Sequence, residues 1–502
     1  MKTKKVYFVF APIFLHWPVA FIKKMAETEN FQIKSGGFIG GAKKYHDLLI
    51  KEMKGFGEAN DFTYTHDLEK KWIFTPYKNE DLLFFQELLG NQSLNEMIIA
   101  DRHIGNGYLF GGGISNSPML KKLESDKEAY LNYTINMLRY LYDFLKEKKP
   151  DFFYTYAVAG AFTLAVANLC EKLGIIFTKL THSRISNRIV IDYDPRDNMA
   201  RVQKQFNQPE TLSKESQTWA EEYLLDFRQK QEQPEYQILQ NKIYIEKTTL
   251  KHQAKLIVKR IKGSINKSNN FFHNSYTDIV KYEQNVSNGI RKYWKERPYT
   301  ELADLPKKNF FFYPLHVDPE ASTMVISPYQ TNQLSVLEAL SKSKPIDSII
   351  IVKEHLTMIG RRPKDFYKKV NNLPGIYMVD PREPSFQFIN NAKAVVTLTG
   401  TAGLESIFLG VPAIFLGNFI YKFISEGFAL TNDLSSLPQI LNNLENISPA
   451  KDETLIRLLA CVYETSIPFA GGLIWKGVSK ERVDENPEVV TLFAKEFSKL
   501  LP

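Results

Sequence analysis

The chain has 502 residues, 44% hydrophobic and 24% charged, which is enough for two or three domains with sizeable cores. Its formal charge of +8 is mild for this length and suits acidic partners such as nucleotides, anionic sugars or anionic lipid. No apolar run approaches the roughly 20 residues of a membrane span, and two cysteines with nine histidines in no H-x-x-x-H pattern exclude the usual cysteine-rich zinc site.

Lys5 to Phe10 reads as a first strand broken at Ala11-Pro12, and the stretch Val6–Val19 reads as strand and turn, not as a cleaved leader, because Pro12, His16 and Pro18 interrupt it. Ser35-Gly36-Gly37-Phe38-Ile39-Gly40-Gly41 is expected to be a loop over the edge of a first sheet. Residues 60–125, with a second glycine cluster from Gly105 to Gly113, do not parse and are taken as an insertion. Asp126 suits the cap of a helix to about Lys148, with Tyr130, Tyr133, Met137, Leu141 and Phe144 on one face. A strand Asp151–Tyr156, a helix Gly160–Leu173 stopped by Gly174 and a strand Ile175–Leu180 follow. That β-α-β rhythm argues for a parallel, Rossmann-like sheet. Cys170 and Cys461 sit in helical apolar patterns, as buried thiols of a reducing cytosol would.

The strand before residue 181 opens into Thr181-His182-Ser183-Arg184-Ile185-Ser186-Asn187-Arg188. His182, Arg184 and Arg188 are candidate substrate ligands, because a guanidinium grips planar oxyanions with two bonds; the alternative is a solvated loop whose arginines pair with Asp192 or Asp194. From about Asn198 to Thr300 long helical patterns replace strands. Within them Leu250–Lys267 is basic and amphipathic, which suits an anionic membrane face or, equally, a helix packed on its own domain.

A second α/β region begins at Phe310–Tyr313. It continues through Pro314-Leu315-His316 and Pro319-Glu320-Ala321-Ser322-Thr323, a helix near Asn332–Ser341, and a strand Ser348–Val352 that ends in Lys353-Glu354-His355. A strand Gly375–Val379 and a short helix Ser385–Asn390 precede the most informative stretch, Val395–Gly417, which reads as strand, tight turn, helix, stop and strand. Thr399-Gly400-Thr401 supplies hydroxyls and a flexible backbone at a helix start, where unpaired N–H groups and the positive end of the dipole favour an anion. Gly410 and Pro412 end that helix after about two turns.

Ligands of open α/β sheets bind at strand C-termini. Lys353, His355, Arg361, Thr399, Gly400, Thr401, Ala402, Gly403 and Glu405 are therefore the candidate ligands of a nucleotide phosphate and ribose, with His316 beside them. His355, Glu354 and Glu320 are the candidate catalytic groups; helix-capping roles compete for Glu320 and Glu405. No G-x-G-x-x-G or Walker pattern stands in a strand-to-helix context, which disfavours dinucleotide redox chemistry and ATP hydrolysis.

The motifs from Pro314 to Thr323, Val352-Lys353-Glu354-His355, Gly360-Arg361-Arg362 and Thr399–Glu405 resemble those of bacterial capsule polysaccharide biosynthesis proteins, most densely over residues 308–420. That group includes GT-B glycosyltransferases, some using CMP-activated Kdo. Lys353-Glu354-His355 is similar to the His-Pro motif of bacterial sialyl- and Kdo-transferases, in which it and a hydroxyl pair grip the nucleotide phosphate; here Leu356 stands where the proline belongs. The resemblance implies an α/β, GT-B-like fold: two Rossmann-like domains (1–200 on the acceptor side, 306–445 on the nucleotide-sugar side) facing a cleft, a helical insertion at 201–305 and C-terminal helices at 446–502 crossing back. It also implies a metal-independent transferase with a nucleotide sugar as substrate, no cofactor, a polysaccharide or glycolipid acceptor and no nucleic-acid partner. Its expected place is the cytoplasm, peripheral on the inner membrane face. A sugar-nucleotide epimerase or hydrolase, and a non-catalytic component of an envelope-assembly complex, remain the alternatives.

Overall fold

Strand β1 (Thr3–Phe10) seeds the first of two sheets. The computed structural model describes residues 3–28, 32–41, 43–101, 125–232, 254–255, 258, 276–469 and 480–500. The glycine cluster Gly105–Gly113, nearly all of the basic stretch Leu250–Lys267, and Gly471-Gly472 lie outside the described residues. The chain divides into two compact units, one of Met1–Ala100, Lys122–Ser216 and Leu459–Pro502, the other of Asp101–Lys121 and Gln217–Leu458.

In the first unit β1 pairs in parallel with β2 (Gln32–Ile39), which pairs with β3 (Phe62–Tyr64); on its other side β1 pairs with β4 (Phe152–Thr155) and that with β5 (Ile176–His182), all parallel. Antiparallel β6 (Arg188–Asp192) and a C-terminal strand, Ser466–Pro468, complete the sheet. Three expectations are corrected here. Gly36 and Gly37 lie inside β2, not in a loop, because aromatic β1 runs so close that a Cβ on Gly37 would stand 1.9 Å from the Phe8 carbonyl oxygen. Residues 60–100 are no insertion: they supply edge strand β3 and the helices Thr65–Phe74, Asn79–Leu89 and Asn91–Ala100. The polar run after β5 is a hairpin turn into β6, held by the Ser183 hydroxyl bonding to the Ile185 and Arg188 carbonyls at 2.8 and 2.9 Å. The helix Ala129–Lys148 buries Tyr133, Met137, Leu141 and Phe144 as its periodicity predicts. Cys170 and Cys461 are both buried free thiols.

The second unit holds six parallel strands: β7 (Asn309–Pro314), β8 (Ser348–Lys353), β9 (Ile376–Val379), β10 (Ala394–Thr397), β11 (Ala413–Phe415) and β12 (Phe428–Leu430). Their spatial order is β12-β11-β10-β7-β8-β9. Numbered within the unit this is the doubly wound order 3-2-1-4-5-6, whose direction reverses between β7 and β10. Near-continuous apolar strands such as Ile349-Ile350-Ile351-Val352 fit a sheet covered on both faces: Phe311, Tyr313, Ile350 and Val352 join one core, Phe312, Ile349 and Ile351 the other. Two parallel, Rossmann-like sheets are thus present, with the helices Lys214–Lys230 and Tyr276–Glu296 between them in the chain. Among the described residues no helix is long and apolar enough to cross a membrane.

Candidate functional site

The switch point of the second sheet places the ends of β7 and β10 side by side, and both ends are polar. Thr397 closes β10 fully buried, and its Oγ1 accepts from the Gly400 N–H at 3.0 Å. His316, two residues past β7, brings Nε2 to 2.9 Å from the same Oγ1 and accepts from the Leu398 N–H at 3.2 Å. A ring nitrogen that accepts from a backbone amide carries no proton, so His316 here is neutral with its proton on Nδ1, and the Thr397 hydroxyl donates to Nε2. Gln333 holds the His316 backbone from both sides, accepting from its N–H at 2.7 Å and donating to its carbonyl at 3.1 Å.

Beyond this turn the helix Thr401–Phe408 begins, with Gly400 at its N-cap. The Gly400 amide is taken by Thr397 and the Gly403 amide by the Gly400 carbonyl at 3.2 Å, which leaves the amides of Thr401 and Ala402 without a hydrogen bond among the described residues. These two form the open, positive end of the helix. The expected hydroxyl pair is corrected in part: Thr401 is half-buried, but Thr399 is fully buried and donates to the Ser322 carbonyl at 3.3 Å. Gly403 answers to packing, since a Cβ there would lie 2.5 Å from the Phe415 ring.

The end of β8 contributes from one strand further away. It does not neighbour β10, because β7 lies between them. Strand spacing then separates the two tips by about 10 Å. Lys353 donates to Ser385 Oγ at 2.8 Å, and burial lowers its ammonium to about 8 against the pull of Glu405, Glu383 and Asp380. Glu405, one turn into the helix, is raised to about 7 by burial, with Lys353 opposing. His355 accepts at Nδ1 from the Thr357 N–H (3.4 Å), with the Thr357 hydroxyl 2.8 Å away. Its proton therefore sits on Nε2, and burial pushes its pKa down to about 4, so at neutral pH it is an uncharged N–H donor. Arg361 makes no side-chain hydrogen bond or ion pair among the described residues, and its Nε is buried.

The candidate carboxylates are corrected. Glu354 is buried and fully engaged: Arg362 grips it through Nε (2.8 Å) and Nη2 (2.9 Å), Tyr367 donates at 3.1 Å and the His355 N–H at 2.7 Å. A base needs a free lone pair facing substrate, which Glu354 lacks. Glu320 is exposed but caps the turn Ala321–Met324, and Ser322 Oγ donates to it at 3.3 Å. Sequence reasoning missed Arg362 as a site element. Its Nη1 also bonds Asp318 at 3.0 Å and its Nη2 the His316 carbonyl at 2.7 Å. Two arginines in a row gave no sign of which one turns inward. The helix Tyr276–Glu296 presses on this loop, and a Cβ at Gly289 would lie 2.7 Å from the Gly360 Cα.

In the first unit His182 ends β5 exposed, its Nε2 3.5 Å from the Tyr156 hydroxyl. Arg184 sits in the hairpin turn at φ +62°. Arg188 is corrected from ligand to tether: it bonds Ser466 Oγ at 2.7 Å and the Tyr463 carbonyl at 2.9 Å, and lies over the Tyr463 ring. Arg188→Ala is expected to lower the midpoint of a thermal melt by a few degrees, through about 1–2 kcal/mol of lost charge-assisted bonding.

Residues 219–443, a little under half of the chain, match the family of capsule polysaccharide biosynthesis proteins. The family resemblance of the motifs is shown over that stretch. The matched stretch contains the whole second sheet and every group just described at its tips. No curated protein matches the chain. Among solved structures it is similar to KpsC, a β-Kdo 2,7 transferase of Thermosulfurimonas dismutans, at 12% identity and TM-score 0.35 over 64% of this chain and 80% of that one. It is also similar to a UDP-GlcNAc 2-epimerase of Neisseria meningitidis bound to UDP-GlcNAc, at 13% identity and TM-score 0.24 over 92% and 99%. A third is CalG4, the calicheamicin glycosyltransferase, at 11% identity and TM-score 0.25 over the full length of both chains. Likenesses of this extent assign neither activity nor ligand to this chain.

Proposed function

We propose that the second unit holds the phosphate of a nucleotide-activated sugar, and that the chain is a glycosyltransferase passing that sugar to a capsular polysaccharide or glycolipid acceptor. The observation that supports it most is that two helix-start amides (Thr401, Ala402) without a hydrogen bond among the described residues stand at a topological switch point, while the β8 tip, one strand beyond, carries three donors of different kinds: neutral His355 Nε2–H, the Lys353 ammonium and the Arg361 guanidinium, which has no side-chain partner among the described residues. As the bond between the anomeric carbon and the phosphate oxygen breaks, its electron pair passes to the phosphate. Fixed amides and cations stabilise that charge without having to reorganise. The His355 N–H adds a hydrogen bond that grows stronger as the charge develops. A CMP-linked donor is the preferred form, since a monophosphate leaving group fits a seat with this few donors.

Thermal shift with CMP, UDP and GDP tests the seat. One nucleotide is expected to raise the melting midpoint through mass action, and His355→Ala with Arg361→Ala is expected to remove the rise. Sugar release is then followed with and without a capsular acceptor. Turnover that requires acceptor supports transfer; turnover without it identifies a hydrolase or epimerase. No shift with any of the three nucleotides overturns the reading.

A further inference from the structure

The two donor groups of the proposed seat stand on strands that are not neighbours, yet a continuous set of bonds joins them across β7. From the β8 side, Glu354 Oε1 accepts from the His355 backbone N–H at 2.7 Å and from Arg362 Nη2 at 2.9 Å. The same Nη2 donates to the His316 carbonyl at 2.7 Å. From the His316 ring the path runs through Nε2 to the Leu398 N–H (3.2 Å) and to Thr397 Oγ1 (2.9 Å), and from Thr397 Oγ1 to the Gly400 N–H (3.0 Å) at the helix cap. Each step is a single polar contact between residues that are buried or half-buried. The helix cap and His355 are therefore oriented by one network.

We propose that Arg362, His316 and Thr397 are positioning residues that couple the two strand tips, so that His355 and the amides at the start of Thr401–Phe408 engage one phosphate as a unit. This rests on the phosphate reading above. The network touches no reacting atom. It fixes the direction of the Gly400 turn, and with it the amides that follow, relative to the His355 backbone, from which the Thr357 bonds to Nδ1 aim the ring. A phosphate drawn in by one tip then meets the other already aimed, and binding at the two is cooperative. If the tips were independent, losses from cutting each would simply multiply.

The helix start offers a clean probe. Gly400 has φ −69° and ψ 157°, the conformation a residue before proline adopts. Thr401 is the first helical residue, where proline is tolerated. Thr401→Pro therefore deletes one open amide, together with the Thr401 hydroxyl, and keeps the helix. The experiment is a cycle of His355→Ala and Thr401→Pro, reading the CMP dissociation constant by calorimetry in the full chain. With the network intact, the loss in the double variant is expected to fall short of the product of the single losses by about fivefold or more. In a Thr397→Val background, which keeps the shape and removes the hydroxyl, the losses are expected to multiply to within about twofold. Thr397→Ser, which keeps the hydroxyl and loses the methyl packed near Gly403, is expected to retain the shortfall even though it melts earlier. That dissociates positioning from stability. His316→Phe is a second cut of the same path, used if Thr397→Val does not fold. An unchanged shortfall in the cut background, or none in the intact protein while both single variants bind more weakly, overturns the coupling and leaves the phosphate seat standing. Single variants that bind CMP as tightly as the parent, or a parent that does not bind it, overturn the seat and the coupling with it.

Discussion

Replacing Arg362 with methionine is expected to cost about 3–5 kcal/mol of folding stability, the usual loss when one partner of a buried charge network is removed. The Arg362 side chain is 1% exposed and those of Glu354 and Asp318 are 0% exposed. The guanidinium balances two carboxylates inside the protein, and no solvent takes over when it goes. Among the described residues one Asp318 oxygen has no hydrogen-bond partner, and burial raises the Asp318 pKa against the pull of Arg362. Without Arg362 the Asp318 carboxyl must take up a proton to stay buried. A carboxyl whose folded pKa is raised binds its proton more tightly in the native state, so stability falls as pH rises from its unfolded value through its folded one. The deficit of Arg362→Met is thus expected to be smaller at pH 5 than at pH 8, as read by urea denaturation. Adding Glu354→Gln and Asp318→Asn should recover part of it, since an apolar or neutral replacement of a whole buried network is much less costly than a broken one. A deficit below 1 kcal/mol or so at pH 8 would show that solvent reaches the triad.

How much of this was legible in the sequence depends on whether local pattern or long-range pairing decides each feature. Strands β8 and β10 and the helix Thr401–Phe408 follow from apolar β-branched runs and from Gly410 with Pro412, and they stand where those signals put them. The sheet order is a pairing property. Nothing local to Val352 or Val396 says that β7 runs between them, so two motifs that look adjacent in function are separate in the sheet. Gly36 and Gly37 look like a loop because their role, close approach to Tyr7 and Phe8 on β1, is visible only once the strands are paired. Short strands such as β3 and β12, three residues each, carry too little periodicity to read. At the site, residue types marked the right neighbourhood, but which member of Arg361-Arg362 or Glu354-His355 faces inward is decided by tertiary partners. Glu354, Thr399 and Arg188 each have the chemistry of a ligand, and each turns to a protein partner instead.

The pH dependence of nucleotide binding is the most direct test of the groups that remain. Glu405 is neutral below about 7 and charged above it, while Lys353 is charged below about 8 and neutral above it. Both changes run against an anionic phosphate as pH rises: a carboxylate appears, then an ammonium is lost. CMP affinity is therefore expected to fall between pH 7 and pH 9 by about tenfold or more, since each displaced pKa unit corresponds to a factor of ten. The phosphate itself, with a second pKa near 6, is almost fully ionised over this range and cannot produce the decline. His355, held near 4, stays neutral throughout and leaves no leg in the profile. The two legs separate by mutation. Glu405→Gln keeps the shape and removes the charge that appears, so the fall through about 7 should vanish while the fall through about 8 remains. Lys353→Met should bind weakly at every pH and lose the upper leg. A parent profile that stays flat from pH 7 to pH 9 would place the phosphate away from the Lys353–Glu405 pair, on the His355 and Arg361 side of the β8 tip.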